Sequence, residues 1–176
     1  MLATDNTNAP LANEPTMTRY EILSADNSLA DKWDSYVSSH QESTFFHLFG
    51  WKKVISNSLG HKAHYLYAVD QNGELVGLLP LFHQKSFIFG SALVSVPMAV
   101  YGGAIADSTE IKQSLENRAA KLAEELDVDY LELRNRERSQ PDWLHKSIHS
   151  TFIHELKDND EDNLLAIKNK QRAVVR

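Results

Sequence analysis

The chain has 176 residues, with 18 Lys and Arg against 24 Asp and Glu, and its net charge is −6. Apolar residues make up 42% and charged residues 24%, as in ordinary globular proteins, and the length suits one compact domain. The acidic balance argues against a surface that in general binds nucleic acid or an anionic membrane, and it leaves a local basic patch open. The absence of cysteine excludes disulfides, thiolate nucleophiles and Cys-based metal sites.

The N-terminal segment, residues 1–17, is a polar tail of Asn, Thr, Ala and Pro. It lacks the basic start and the apolar run of a secretory signal, and it holds too few large apolar groups to offset the entropy of ordering. We therefore expect it to be disordered. No run in the chain approaches the roughly 20 apolar residues that span a bilayer, so we expect a cytoplasmic protein without a transmembrane segment.

The next segment predicts one strand and two helices. Polar and apolar residues alternate over residues 19–24, which predicts a strand. Asp26 or Asn27 can then cap a first helix with one apolar face. A second helix is predicted over residues 45–58, and Gly60 is suited to end it.

The middle of the chain is rich in strands. Two β-prone runs, residues 61–70 and 74–82, are separated by a turn that contains Asn72-Gly73, a strong hairpin signal. Residues 92–96 predict a further strand, which runs into the loop 97–103.

A long amphipathic helix follows over residues 107–126. Asp107 is predicted as its N-cap, with Glu110 in the capping-box position. Residues 128–133 alternate as in a strand, another strand is predicted over residues 151–156, and a final helix is predicted over residues 164–176.

The predicted order is β-α-α-β-β-β-α-β-β-α, with an antiparallel meander before the long helix and a parallel return after it. This order predicts an α/β (α+β) three-layer domain, a mixed central sheet flanked by helices. It is similar to the GNAT acyltransferase fold, in which the N–H groups of a Gly-x-Gly loop hold the CoA pyrophosphate at the next helix. Residues 94–103 lack that Gly-x-Gly, and Asp107 and Glu110 would repel a pyrophosphate. We therefore expect no working acetyl-CoA site in this loop.

Three stretches together resemble the FemAB family, especially the FemAB-like proteins of bacterial exopolysaccharide and exosortase (PEP-CTERM) gene neighbourhoods. They are residues 43–55 (STFFHLFGWKKVI), residues 73–86 with the run GLLPLF, and residues 95–103 (SVPMAVYGG). The basic tail, residues 165–176, resembles the helix that opens the second half of such proteins.

The resemblance implies two GNAT-like halves. This chain would hold the first, residues 18–157, and the truncated start of the second, residues 158–176. It also implies an enzyme that transfers an aminoacyl or acyl group to an amine in peptidoglycan or exopolysaccharide assembly. The acceptor would be a cell-wall or glycan precursor, the donor substrate aminoacyl-tRNA or acyl-CoA, and no other cofactor is expected. The first half alone is expected to be inactive, with an exposed face for the second half or for another copy of itself.

Substrate-binding candidates lie in two places in the first half. In family members with a nucleotide-linked acceptor, a Lys in the matching Gly-Trp-x-Lys position contacts the diphosphate, and Lys53 falls there. The alternative is that Lys52 and Lys53 form an ordinary solvated helix face. Tyr101 precedes the paired glycines Gly102 and Gly103, which permit either close approach of a ligand or a tight turn.

The tail supplies the remaining candidates. Lys170, Arg172 and Arg176 are basic, and Arg172 and Arg176 share a predicted helical face with Lys168. This face could meet the phosphates of a tRNA or of a sugar-diphosphate carrier, or it could simply be solvated.

Other chemistry finds little support. His61 and His64 lie on a predicted strand, where residues three apart point to opposite faces, so no zinc site is predicted. There is neither a Gly-x-Ser-x-Gly elbow nor a phosphate loop, and no general base can be named. Two hypotheses stay open beside the transferase: a non-catalytic GNAT-like binding module and a CoA-dependent N-acyltransferase with an atypical loop.

Overall fold

A computed structural model of the chain describes residues 20–88, 90–146 and 150–175. The predicted tail, residues 1–17, lies outside the described residues. The chain divides into two compact units between Trp143 and Leu144. The domain boundary predicted after residue 157 stays a prediction.

The first unit contains eight strands and three α-helices within its described residues. In chain order they are β1 Tyr20–Ser24, α1 Ala30–Ser39, α2 Trp51–Leu59, β2 Lys62–Ala63, β3 Leu66–Asp70, β4 Leu75–Leu79, β5 Phe82–Ser86, β6 Gly90–Val94, β7 Ile105–Ala106, α3 Thr109–Glu125 and β8 Tyr130–Glu132. Short 3-10 turns precede α1 and α2, at Asn27–Leu29 and Phe45–His47.

The strands form two four-stranded sheets, in the orders β1-β3-β4-β7 and β2-β5-β6-β8. All pairs are antiparallel except β6–β8, which is parallel, as expected for a return after a crossover helix. The expected mixed α/β architecture is confirmed, but the single central sheet is divided. The strand pairing is interrupted between the β4–β7 pair and the β5–β6 pair. Residues 80–81 on one side and residues 95–104 on the other form no ladder there, and Pro80 has no N–H to donate.

Helices cover both faces of the sheets. An aromatic cluster packs against α1 and α2, and its large members are Trp33, Phe49, Tyr65 and Phe82. An aliphatic cluster packs against α3, and its members include Leu66, Leu79, Leu81, Leu93 and Leu115. Neighbouring residues such as Leu78 and Leu79 of β4 fall in different clusters because side chains alternate along a strand. The layers are therefore helix, sheet, helix.

Local signals predicted some helix ends and missed others. Asp26 accepts the N–H of Ser28, and Gly60 ends α2 in the left-handed conformation, with φ 69°. The predicted helix over residues 45–58 is too long, because Leu48 has an extended ψ of 139° and α2 begins only at Trp51.

The predicted N-cap of α3 is wrong by one residue. Ser108 is the cap, and its Oγ accepts the N–H of Ile111 at 3.2 Å. Asp107 instead accepts the hydroxyl of Tyr36 at 2.7 Å.

The second unit contains α4, Asp160–Ala166, and α5, Asn169–Val175. The predicted strand over residues 151–156 is wrong: these residues are exposed and pair with no strand among the described residues. The predicted single final helix is also wrong, because Ile167 is extended, with ψ 135°. Among the described residues no helix is long and apolar enough to cross a membrane.

Candidate functional site

The loop between β6 and β7, residues 95–104, is closed by the chain that follows β8. The N–H groups of Gly102 and Gly103 both donate to the carbonyl oxygen of Arg134 at 3.1 Å. The N–H of Ala104 donates to Oδ1 of Asn135 at 3.2 Å. Three successive N–H groups that could face a ligand are therefore used inside the domain.

The same seam continues toward β8. Ser95 donates its N–H to the carbonyl oxygen of Glu132 at 2.9 Å, and its Oγ accepts the N–H of Arg134 at 2.8 Å. Both ends of the loop are thus hydrogen-bonded to one segment, and most of the loop between them is buried.

The paired glycines permit this closure. A Cβ on Gly102 would lie 2.8 Å from Cβ of Val96, and one on Gly103 would lie 2.9 Å from Cα of Asn135. Since real Cβ contacts are not that short, a side chain at either position would push the segments apart. Tight packing therefore accounts for both glycines, and a ligand contact by them stays a prediction.

His47 ties the loop to the turn before α2. The N–H of Thr44 donates to Nδ1 of His47 at 3.0 Å, so the ring proton lies on Nε2, which is 3.0 Å from the carbonyl oxygen of Gly103. Burial lowers the pKa of His47 and favours this neutral ring. Both ring nitrogens are engaged, which leaves His47 no free nitrogen for proton transfer.

The sequence alone did not identify His47 as the residue that links the turn before α2 to the 95–104 loop. Thr44 caps the 3-10 turn, and His47 occupies the position three residues later that a capping box gives to Glu or Gln. The Thr-x-x-His spacing was the available signal.

Cationic side chains line the rim of this region. Cζ of Arg136 lies 5.3 Å from the ring centroid of Tyr101, a cation–π contact. Lys112 is nearly buried and pairs with Glu42 at 3.0 Å. The space enclosed between these residues and the loop is about 10 Å³, which suits a single water molecule.

A wider recess of about 260 Å³ lies at the start of α3. Its charged lining consists of Glu42, Asp107, Lys112, Glu137 and Arg138. Carboxylates outnumber cations there, so the recess does not favour a phosphate-bearing ligand.

Glu116 links α3 to the closed seam. This side chain is fully buried; Oε1 accepts the amide N–H of Asn135 at 2.7 Å and the hydroxyl of Ser139, while Oε2 has no partner among the described residues. Asn135 in turn holds Ala104, so one buried carboxylate supports the position of the loop.

Two neighbouring lysines on α2 have different surroundings. Nζ of Lys52 lies 4.9 Å from the ring centroid of Phe49 and donates to the carbonyl oxygen of Ala25 at 3.4 Å. Lys53 is exposed, and no acidic side chain pairs with it among the described residues. Of the two, Lys53 is the one that a ligand could reach.

The basic candidates of the tail lie in the second unit. Lys170 and Arg172 are on α5, and the carbonyl oxygen of Lys168 accepts the N–H of Arg172 at 3.0 Å, which puts Lys168 at the start of the same turn. Arg176 lies outside the described residues. Within those residues no group of three His, Asp or Glu side chains could hold a metal ion.

No protein-family model matches the sequence, and no curated protein matches it. Among solved structures, a putative acetyl transferase from Pyrococcus furiosus is similar at 12% identity over 77% of this chain and 100% of that chain, with a TM-score of 0.50. A transcriptional regulator from Bacillus halodurans C-125 is similar at 12% identity over 78% of this chain and 100% of that chain, also with a TM-score of 0.50. A GNAT family acetyltransferase from Staphylococcus aureus subsp. aureus USA300_TCH1516 gives 12% identity over 80% and 100% of the two chains, with a TM-score of 0.48.

At 12% identity these similarities show the fold alone. The first two structures share the mixed α/β architecture of this chain, which confirms the expected acetyltransferase-like fold. One is described as a putative acetyl transferase and the other as a transcriptional regulator, and a shared fold does not by itself determine an activity.

Proposed function

We propose that the chain is the first GNAT-like half of a FemAB-like aminoacyl- or acyltransferase of cell-envelope or exopolysaccharide assembly, acting in the cytoplasm. In this proposal the half binds the acceptor, a cell-wall or glycan precursor, and does not bind acyl-CoA through its 95–104 loop. One observation supports assigning acceptor binding, and not acyl-CoA binding, to this half: the loop is closed. The N–H groups of Gly102, Gly103 and Ala104 are hydrogen-bonded within the chain.

Lys53 supplies the anchoring charge in this proposal. It is exposed on α2, whereas Lys52 is packed over an aromatic ring. An ammonium group on a flexible stem suits contact with a diphosphate. The Gly-Trp-x-Lys resemblance gives the same assignment.

The chemistry would be attack of the acceptor amine on an activated ester. Positioning and stabilisation of the developing oxyanion would supply most of the catalysis. His47 is not the base, since both of its nitrogens are engaged. The residues that contact the donor, aminoacyl-tRNA or acyl-CoA, would come from the second half, to which the basic Lys170, Arg172 and Arg176 would belong.

A non-catalytic binding module is the second candidate. The observation that favours it is that both ring nitrogens of His47, the buried histidine beside this loop, are engaged within the chain, so this residue cannot act as a base. Such a module would bind the same precursor and transfer nothing.

Calorimetric titration of the full chain tests the binding assignment. A uridine-diphosphate-linked muramyl peptide should bind, and acetyl-CoA should give no saturable heat. Lys53→Ala should weaken binding of the precursor by about ten- to a hundredfold, because a charged hydrogen bond contributes roughly 1.5–3 kcal/mol. Lys121→Ala, an exposed lysine on α3, is the matched control and should bind as the unchanged chain does.

Each other outcome has a definite meaning. Saturable binding of acetyl-CoA would replace the proposal with a CoA-dependent N-acyltransferase. Equal binding by the two variants would remove Lys53 from the site. Aminoacyl transfer to the precursor, assayed with the chain extended by a second half, would separate the transferase from the binding module.

A further inference from the structure

The turn between β5 and β6 carries two adjacent large apolar side chains that are exposed. Phe87 is 106% exposed and Ile88 is 80% exposed, so neither side chain packs on the domain. Both follow directly on β5, at the end of a hairpin whose register runs from Phe82↔Val94 to Ser86↔Gly90. We call Phe87 and Ile88 the hairpin tip.

Exposed lysines lie directly behind this tip. Lys85 is the second residue before Phe87 on β5. Lys62 of β2 is the Cα partner of His83, four residues before Phe87, so the two side chains lie on one face of the sheet. Burial first, and then the charges of Lys85 and Lys62, lower the pKa of His83, as expected if both ammonium groups are close to it.

One carboxylate also contacts the hairpin. Oδ2 of Asp129 accepts the N–H of Ser91 at 2.7 Å, so its charge is directed at the backbone of β6. Exposed apolar and positively charged side chains therefore lie beside the tip, together with the exposed carboxylate of Asp129.

From this arrangement we propose that the hairpin tip inserts into the surface of a bilayer that contains anionic lipid, with Lys85 and Lys62 at the level of the headgroups. Apolar side chains backed by lysines are the combination that peripheral membrane segments use. A protein partner fits less well, because a stable protein interface buries roughly 800 Å² on each side and two residues at a projecting turn cannot supply that area. The proposal concerns a surface remote from Lys53 in sequence and does not depend on the transferase assignment.

Vesicle flotation of the full chain is the first test. The chain should float with vesicles of phosphatidylcholine and phosphatidylglycerol and should float less with phosphatidylcholine alone. The double variant Phe87→Ser/Ile88→Ser should lower the affinity at least about tenfold, since two apolar side chains lose their transfer into lipid. Its melting temperature should not change, because both side chains are exposed.

Charge variants sharpen the test. Lys85→Gln should weaken binding to anionic vesicles about fivefold, the effect of one positive charge near such a surface. Lys32→Gln is the matched control: Lys32 bonds to Gly73 in the turn before β4, and its variant should bind as the unchanged chain does.

A fluorescent label locates the contact. The chain has no cysteine, so Phe87→Cys provides a single attachment point for an environment-sensitive dye. Its emission should rise and shift to the blue when anionic vesicles are added, whereas the same dye at Ser35→Cys on α1 should not respond.

Three results would overturn the proposal. They are failure to float with any vesicle, undiminished flotation of the double variant, and self-association without lipid that the double variant abolishes. The last would assign the tip to a second copy of the chain.

Discussion

The two faces of the sheets bury their polar groups in different ways. On the aromatic side the polar atoms belong to the rings: Nε1 of Trp33 donates to the carbonyl oxygen of His47 at 2.7 Å, and the hydroxyl of Tyr65 is buried without a partner among the described residues. On the aliphatic side they belong to charged residues of α3, Lys112 and Glu116. We therefore expect the free energy of unfolding to depend on the volume of the buried rings on the aromatic side. On the aliphatic side we expect it to depend on the hydrogen bonds of the buried charged residues.

The largest effect is expected from Trp33→Ala. Trp33 is fully buried and stacks on Tyr65 with centroids 5.0 Å apart, so its removal leaves a cavity as well as an unpaired carbonyl. The free energy of unfolding should fall by about 3–5 kcal/mol, measured by urea denaturation. A loss below about 1 kcal/mol would show that this face does not depend on ring volume.

The next effect concerns the opposite face. Glu116→Ala should lower the free energy of unfolding by about 1–3 kcal/mol, because Asn135 and Ser139 lose their acceptor in a buried place. Glu116→Gln keeps one carbonyl acceptor, so it should lower the free energy of unfolding less than Glu116→Ala does. Equal losses in the two variants would mean that packing, and not hydrogen bonding, sets the role of this residue.

A pH dependence should appear on the aromatic side. Burial lowers the pKa of His47 from its ordinary 6.5, so the unfolded chain takes up a proton near that pH while the folded chain does not. The free energy of unfolding should therefore fall as the pH drops below about 6.5. The urea midpoint measured from pH 8 to pH 5 follows this change.

Other titratable groups also make the free energy of unfolding depend on pH, and the variant His47→Gln separates the contribution of His47 from theirs. Burial also lowers the pKa of His64 and of His83. Hydrogen bonds lower the pKa of Asp26 and of Asp70, so these carboxylates lose their contribution only near and below pH 3.8. His47→Gln should reduce the slope between pH 6.5 and pH 5, and an unchanged slope would exclude His47 as a source.

The smallest effect is expected from Tyr65→Phe. The buried hydroxyl has no hydrogen bond among the described residues, and burial raises the pKa of Tyr65. Its removal should leave the free energy of unfolding unchanged or raise it by less than about 1 kcal/mol. Tyr36→Phe is the control: it loses the hydrogen bond to Asp107 and should cost about 1 kcal/mol.

The sequence predicted the features that depend on neighbouring residues. The Asn72-Gly73 turn joins β3 to β4, Asp26 caps the turn before α1, and Gly60 ends α2. The apolar stripe on α3 was also predicted, since its period alone shows which face is buried.

The features that depend on distant residues could not be predicted in this way. Residues 151–156 were predicted as a strand, but a strand also needs a neighbouring strand with which to form hydrogen bonds. Asp107 is a residue type that often caps helices, yet its carboxylate accepts the hydroxyl of Tyr36 on α1. Nothing in the helical pattern distinguishes buried Glu116 from the solvated acids of α3, because its partners follow β8. The closed loop was missed for the same reason.

The parallel pairing of β6 with β8 has a consequence for the order of folding. The β3–β4 and β5–β6 hairpins close across short turns, whereas β8 can pair only after α3 has formed and crossed the sheet. Since distant contacts carry the larger loop-closure cost, we expect the seam at Gly102 and Gly103 to form late. The same seam should open early in the native state, and faster hydrogen exchange at these two amides than in the β3–β4 hairpin would reveal it.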